Sequence, residues 1–346
     1  NDAYLDGELT LNYPIYDFGE KGLRVLAEEQ RKKSDQIELQ KIKQIKIFDI
    51  LDLCIEIIKS ELTIKLLKED IQSFEQMQSL ANDRYLGGTG TLTSLRRLDL
   101  MGLELKADLN QTEFEKEFQK KTFLKRFKAD SNKYVNLVKT NIKNLKIIQR
   151  PLIIENLSFF KKSILLINAS NDEIKSINAS RWPSLDLKLT GNFYEAESSF
   201  LKENELLGGI GVSMPLYDSK LRDTQIKSLL IDQNTISQNR KKSMRDVEIA
   251  FRENKTSLEK LITSKIDNKK KLTNISNNLK QLKSSSIAIR GAEFEIANLD
   301  LQRRSLLREL ALYNWNEKKL SLENGLITEN LNEILLNINK IEKKNG

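Results

Sequence analysis

Apolar and polar residues alternate from Glu8 to Tyr13, with Leu9, Leu11 and Tyr13 on one face and Glu8, Thr10 and Asn12 on the other. A period of two predicts a strand. From about Gly19 to Tyr85 the spacing turns helical, and the apolar positions fall on two neighbouring stripes. Leu51, Ile55, Ile58, Leu62 and Leu66 form one; Leu53, Ile57, Ile64, Leu67 and Ile71 form the other. A helix with two stripes packs against a partner on each flank, as in a ring of helices, whereas a two-stranded coiled coil has one narrow seam.

The helical period stops at Arg84-Tyr85-Leu86-Gly87-Gly88-Thr89-Gly90-Thr91-Leu92-Thr93-Ser94-Leu95. Glycines there break a helix and allow positive φ, and Ser94 or Thr93 is placed to cap the next helix. The expectation is a helical hairpin with a tight tip. The returning helix covers about Leu95 to Lys128, a less regular helical stretch follows to Pro151, and another amphipathic helix spans about Ile153 to Ala179.

After Arg181-Trp182-Pro183-Ser184, a second alternation sets Leu185, Leu187, Leu189, Gly191 and Phe193 against Asp186, Lys188, Thr190 and Asn192. One apolar and one charged face suits a soluble sheet with a wet side and equally a membrane barrel with lipid outside and water inside. Trp182, Phe193 and Tyr194 at its ends fit interfacial aromatic girdles. A polar loop leads to a further strand at 207–217, and a second long helix runs from Asp218 to about Arg290. It breaks between Arg290 and Asn298; a last long helix covers about Leu299 to Glu323, with a short helical piece at Asn330 to Ile341.

One unit occurs twice. Met214-Pro215-Leu216-Tyr217-Asp218 repeats Tyr13-Pro14-Ile15-Tyr16-Asp17 at a separation of 201 positions, with Gly7 on Gly208, Leu9 on Ile210, Leu11 on Val212 and Val25 on Ile226. Proline is tolerated at a strand end, and an aspartate before a helix satisfies its free N–H groups and complements its dipole. The repeated unit is a strand handing over to a long helix.

Glycine and proline distribution agrees with this. No glycine lies between Gly22 and Gly87, Gly102 and Gly191, or Gly211 and Gly291, and a helix over 20–85 would be roughly 100 Å long, so an elongated molecule is expected. Charged residues are 31% of the chain and the net charge is +8, but lysines are interleaved with glutamates along the helices. That pattern reads as solvated helix faces and implies no nucleic-acid partner. With no histidine and a single cysteine, Cys54, zinc sites built from those residues, Ser-His-Asp chemistry and intrachain disulfides are excluded. No enzyme activity, metal or cofactor is expected, and Cys54 in its apolar run reads as a small buried hydrophobe. No run of 18 apolar residues exists to form a membrane-spanning helix.

In its arrangement the chain resembles the TolC family of outer membrane efflux proteins over nearly its whole length. The strongest likeness runs from Asn156-Leu157-Ser158 through Arg181-Trp182-Pro183-Ser184-Leu185-Asp186-Leu187, similar to the family's helix entering a barrel strand through a proline. The junctions Pro14, Tyr16, Asp17 and Pro215, Tyr217, Asp218, with Pro183, are similar to the family's strand-to-helix corners. Arg84-Tyr85-Leu86-Gly87-Gly88 with Ser94-Leu95 lies where the family has its first hairpin tip, Ser94 standing in place of an acidic residue.

The resemblance implies a mainly α fold with a small β part: long antiparallel helical hairpins forming a tunnel, strands of a trimeric transmembrane β-barrel, and two internal structural repeats. The expected divisions are a first repeat at 1–127 (strand 8–17, tip 84–95) and an equatorial segment at 128–152. A second repeat follows at 153–323 (helix 153–180, strands 184–194 and 207–217, hairpin 218–323 with a tip at about 290–300), then a C-terminal equatorial segment at 324–346. A homotrimer in the outer membrane of a Gram-negative bacterium, in contact with its lipid and reaching into the periplasm, would be a passive exit duct for multidrug efflux or type I secretion. Its partners would be a periplasmic adaptor (membrane fusion) protein and an inner membrane transporter, ABC-type or proton-driven. Adaptor docking falls to Arg84, Tyr85, Gly87, Gly88, Gly90, Thr91, Leu92, Ser94 and Leu95; the second tip and entrance fall to Arg290, Phe294, Asn298, Asp300 and Arg303. Asp300 aligns with the family's entrance aspartate, Phe294 replaces its glycine, and Arg303 falls where a second acid is usual. A threefold ring of Asp300 carboxylates would attract cations, Arg303 partly cancelling the field; the plainer reading of Asp300 is a solvated surface residue. Glu8, Thr10, Asn12, Asp186 and Lys188 would line the lumen. Barrels have an even strand number, so a further strand preceding Asn1 is expected. The rival reading is a soluble coiled-coil scaffold without transport activity.

Overall fold

A computed structural model describes residues 7–142, 151–193, 204–285 and 292–332. The elements in order are β1 (Gly7–Tyr16), α1 (Glu20–Leu86), α2 (Leu92–Phe127), α3 (Ser131–Asn141), a 3-10 turn (Ile154–Asn156), α4 (Ser158–Ala179), β2 (Ser184–Phe193), β3 (Asn204–Ser213), α5 (Leu221–Ser285) and α6 (Ala292–Ile327). They fall into two compact units, one of residues 1–41 with 154–246 and one of 42–153 with 247–346. None of the described helices is long and apolar enough to cross a membrane.

The first unit holds an antiparallel sheet of order β1-β2-β3. Its register sets Leu9 opposite Gly191, Leu11 opposite Leu189 and Tyr13 opposite Leu187, while Leu187 pairs with Ile210 and Leu185 with Val212. Because side chains alternate along each strand, this register gathers Leu9, Leu11, Tyr13, Leu185, Leu187, Leu189, Leu206, Ile210 and Val212 on one face, with Leu207 opposite Thr190 on the other. Thr10, Asn12, Asp186, Lys188, Thr190 and Asn192 share the other.

β1 runs through Pro14 instead of ending at it, and β3 stops at Ser213, before Met214 and Pro215. The expected span of 207–217 is therefore displaced to earlier residues, and the predicted loop ends before Asn204. Pro14 is accommodated because β1 is an edge strand and its pairing with β2 slips there, Pro14 facing Asp186 and Tyr16 facing Leu185. Edges and bulges are where a residue lacking N–H costs least. Small residues let α4 approach its neighbours: Ser163, Ala169, Ser170 and Ser176 are its buried positions. Ser176 Oγ donates to the Glu20 carbonyl at 2.8 Å, Gln233 Nε2 donates to Ser170 Oγ at 3.1 Å, and Arg31 pairs with Glu173.

The second unit is helical, and both stripes foreseen on α1 are at work in it. Ile55, Ile57 and Ile58 are buried with Phe123 of α2, Val135 and Val138 of α3, and Leu322 of α6. Leu67, Phe74 and Ala81 are buried with Leu98 and Leu105 of α2 and Ala297 of α6. Cys54 lies fully buried in the first cluster, and desolvation pushes its thiol up to about 12.

Two helix starts differ from expectation. α2 begins at Leu92, with Thr91 as its cap: Thr91 Oγ1 accepts the Ser94 N–H at 3.1 Å, so neither Ser94 nor Thr93 caps it. α6 begins at Ala292, seven residues before Leu299, and continues through Gly325. Glu293 and Glu295 in its first turn suit the dipole. Burial of Leu322 and Asn324 outweighs the roughly 1 kcal/mol that an interior glycine costs. The predicted break at Arg290, Tyr194 and most of the short helical piece expected at 330–341 lie outside the described residues.

Candidate functional site: two strand-to-helix junctions, a hairpin tip and an ion-pair network

The junctions after β1 and β3 take the same turn. At the first, Asp17 O accepts the Glu20 N–H at 3.0 Å, and Asp17 Oδ1 and Oδ2 accept the N–H groups of Gly19 (3.0 Å) and Lys21 (3.1 Å). At the second, Asp218 O accepts from Leu221 at 2.9 Å, and its carboxylate accepts from Lys220 (3.1 Å) and Arg222 (3.4 Å). Both central residues have positive φ in each case: Phe18 at 52° and Gly19 at 83°, Ser219 at 53° and Lys220 at 64°. That is a type I′ turn. One aspartate holds the strained turn and the helix start together, its carbonyl taking the first helical N–H and its carboxylate the second, which explains why aspartate stands at both corners. Tyr16, Phe18 and Trp182 cluster here, with ring centroids 4.8 Å and 5.6 Å apart; Tyr217 and Leu216 are exposed at the other corner. Pro183 sits between the end of α4 and the first residue of β2.

At the hairpin tip the backbone wraps tightly over the end of α1. The Arg84 carbonyl accepts the N–H groups of Thr89 (2.9 Å) and Gly90 (2.8 Å), and Tyr85 O accepts from Gly88 at 3.0 Å. Gly88 has φ of +75°, a conformation side chains disfavour. A Cβ on Gly90 would lie 2.8 Å from the Tyr85 nitrogen, which is immovable backbone. Leu86 and Leu92 are exposed beside this turn, while Leu95 packs inward against the cluster around Phe74.

Of the predicted second-tip residues, Phe294, Asn298, Asp300 and Arg303 sit on α6, and the start of that helix meets the first hairpin. Glu293 accepts from Arg84 Nη1 at 2.6 Å, and the Arg97 guanidinium lies 5.2 Å from the centre of the Phe294 ring. Asn298 accepts from Gln302 at 3.3 Å within the helix. Asp300 is neither a solvated surface residue nor an open carboxylate: it is 4% exposed, with Arg303 at 2.8 Å and Arg304 at 2.7 Å. Burial pushes its carboxyl up, yet the hydrogen bonds from Arg304 and Arg303, with their charge, hold it below the usual carboxylate range. Arg304 continues to Asp70 (3.2 Å) and Ser73 (2.6 Å) of α1, and Arg308 also binds Asp70. Sequence reasoning missed this network. Its signal was present: Asp70 falls on the line of Leu67 and Phe74, and a carboxylate on a buried stripe requires a cation from another element.

No protein-family model matches the chain, and no curated protein matches it. Its fold, however, matches solved structures of outer membrane channels over most of its length. CusC, described as forming a transmembrane channel, is similar with a TM-score of 0.74 and 12% identity, covering 93% of this chain and 77% of its own. The outer membrane protein VceC of Vibrio cholerae gives 0.71 and 12%, covering 96% and 87%. The Campylobacter jejuni outer membrane channel CmeC gives 0.69 and 10%, covering 96% and 81%. At such identities the likeness is one of fold. It is the mainly α fold with a small sheet that the resemblance in the sequence implied.

Proposed function

We propose that the chain is a TolC-family protomer: three copies build a channel-tunnel in the outer membrane of a Gram-negative bacterium, a passive exit duct reaching into the periplasm. One observation carries this reading. The apolar face of the sheet is uncovered, with Leu206 and Ile210 81% and 68% exposed and Leu9, Leu11, Tyr13 and Val212 exposed beside them. A water-soluble sheet hides such a face against helices or a second sheet; a barrel strand turns it to lipid, with polar side chains towards the lumen. Glu8, Thr10, Asn12, Asp186 and Lys188 then line the water-filled side, and Tyr16, Phe18, Trp182 and Tyr217 form an aromatic collar at one interface. The exposed face argues against the soluble scaffold, which has no use for it.

In this reading no reaction is catalysed. The first tip, from Arg84 to Leu95, meets a periplasmic adaptor that couples the duct to an ABC-type or proton-driven inner membrane transporter. Gly88 and Gly90 keep the turn low enough for another hairpin to approach. Asp300, neutralised by two arginines, contributes little to cation attraction at the entrance. The test is to extract the protein from its native membrane and reconstitute it in planar bilayers. Resistance to carbonate washing, dependence on detergent and discrete ion conductance are expected; a monomer that washes off and conducts nothing overturns the proposal.

A further inference from the structure

The two strand-to-helix corners share a backbone turn but not a charge. Over 16–26 the chain has Asp17 and Glu20 against Lys21 and Arg24; over the equivalent 217–227 it has Asp218 and Asp223 against Lys220, Arg222 and Lys227. Both acids of the second corner are already neutralised. Arg222 Nη1 lies 3.0 Å from the Asp218 carboxylate, and Arg181, just before β2, reaches Asp223 at 2.5 Å. Lys220 and Lys227 are exposed and have no carboxylate partner among the described residues. They are left as two uncompensated positive charges. The backbone N–H groups of the corner are taken by Asp218, so an anion that meets this surface meets lysine side chains.

These charges border an apolar surface that continues from the sheet. β3 ends at Ser213, but beyond Ile210 and Val212 the exposed apolar residues go on through Met214, Leu216, Tyr217 and Leu221, with Leu216 and Tyr217 91% and 84% exposed. Along the chain the order is apolar sheet face, aromatic side chain, then lysine. Acyl chain, interface and headgroup follow one another in the same order across a leaflet. Lys227 stands seven residues after Lys220, two turns along one face of α5, and a lysine stem lies along apolar surface while its ammonium reaches the polar layer. At the first corner Glu20 closes on Arg24 at 3.2 Å, and the window has no net charge.

We propose that the second corner binds an anionic phospholipid of the periplasmic leaflet, with Lys220 and Lys227 on its headgroup and Leu216, Tyr217 and Leu221 against the start of its acyl chains. The proposal rests on the channel reading and adds to it a lipid of chosen charge at one corner of the two. Charge complementarity makes the choice, because a zwitterionic headgroup brings its own cation to a surface that already holds two.

The test weighs the full protein, purified in neutral detergent, by native mass spectrometry after incubation with equal amounts of phosphatidylglycerol and phosphatidylcholine bearing the same acyl chains. Phosphatidylglycerol is expected to be retained in preference. Lys227→Gln, on a regular helix, is expected to lower its retention about fivefold, the effect of one lysine at an anionic membrane surface. Lys220→Gly is expected to do the same while raising the thermal unfolding temperature, because glycine accepts the φ of 64° found there without strain. Lys21→Gln at the first corner is expected to leave the preference unchanged, and Leu216→Ser to weaken both lipids alike. Excess inorganic phosphate is expected to displace no lipid; complete displacement would assign the lysines to a free anion and overturn the lipid site. Equal retention of the two lipids, or an undiminished preference in both lysine variants, also overturns it, and the channel stands if the protein still conducts in planar bilayers. A protein that remains monomeric in water without detergent overturns both.

Discussion

Arg304 and Asp70 tie the two long hairpins together: Nη1 of the arginine lies 3.2 Å from the carboxylate across the α1–α6 boundary, while its Nε holds Asp300 at 2.7 Å. Both carboxylates are buried. A buried charge with its partner removed costs far more than the pair contributes. Arg304→Leu is therefore expected to destabilise the second unit by about 3–5 kcal/mol, read as a fall in the thermal transition of the helical circular dichroism signal. Arg304→Lys, which loses the two-sided fork, is expected to recover only part of the loss.

The same network predicts an acid limit. Asp300 is held below the usual carboxylate range in the folded state, so its contribution is fully present above its unfolded value, about pH 4. It is lost as pH falls through the lower folded value. Stability from this group is expected to stay constant from pH 7 to about 4 and to decline below that, and Asp300→Asn is expected to flatten the decline in a pH series of thermal unfolding curves.

At the tip, Gly88 and Gly90 are required for different reasons. Gly88→Val places a β-branched side chain at φ +75°, and Gly90→Val drives a Cβ into the Tyr85 backbone. Forcing an ordinary residue into the left-handed region costs about 1–2 kcal/mol, enough to rebuild a surface turn without unfolding the hairpin. Export of a toxic dye is expected to fall while trimers remain intact on mild gels. Gly87→Ala, whose Cβ comes no closer than 3.4 Å to its neighbours, is expected to leave export unchanged.

The two sheet faces should respond oppositely to charge. Ile210→Arg on the apolar face is expected to cost about 2–4 kcal/mol if the residue lies near the bilayer midplane, and to reduce the protein recovered in outer membrane fractions. Lys188→Glu on the polar face is expected to leave that recovery unchanged and to shift ion selectivity towards cations in planar bilayers.

Cys54 supplies a probe of the core. Desolvation pushes its thiol up to about 12, so almost no thiolate exists at neutral pH to react. Ellman's reagent at pH 8 is expected to leave it unmodified in the native protein and to titrate one thiol per chain in guanidinium chloride.

Periodicity alone determined the strands, the long helices, both stripes on α1, the glycine turn and the aspartates at the corners, because each is a repeat or a local backbone requirement carried by neighbouring residues. What the tertiary structure decided is everything that depends on a partner from far along the chain. That the apolar face of the sheet lies exposed, as at Leu206 and Ile210, could not be read from alternation, which is the same in a soluble sheet and a barrel strand. The early start of α6 and its run through Gly325 came from packing at Ala297 and Leu322, which outweighs local propensity. Asp300 was legible as an acid but not as a buried one, because the arginine that joins it to Asp70 stands 234 residues from that aspartate, and charge pairing at such a distance leaves no period to read.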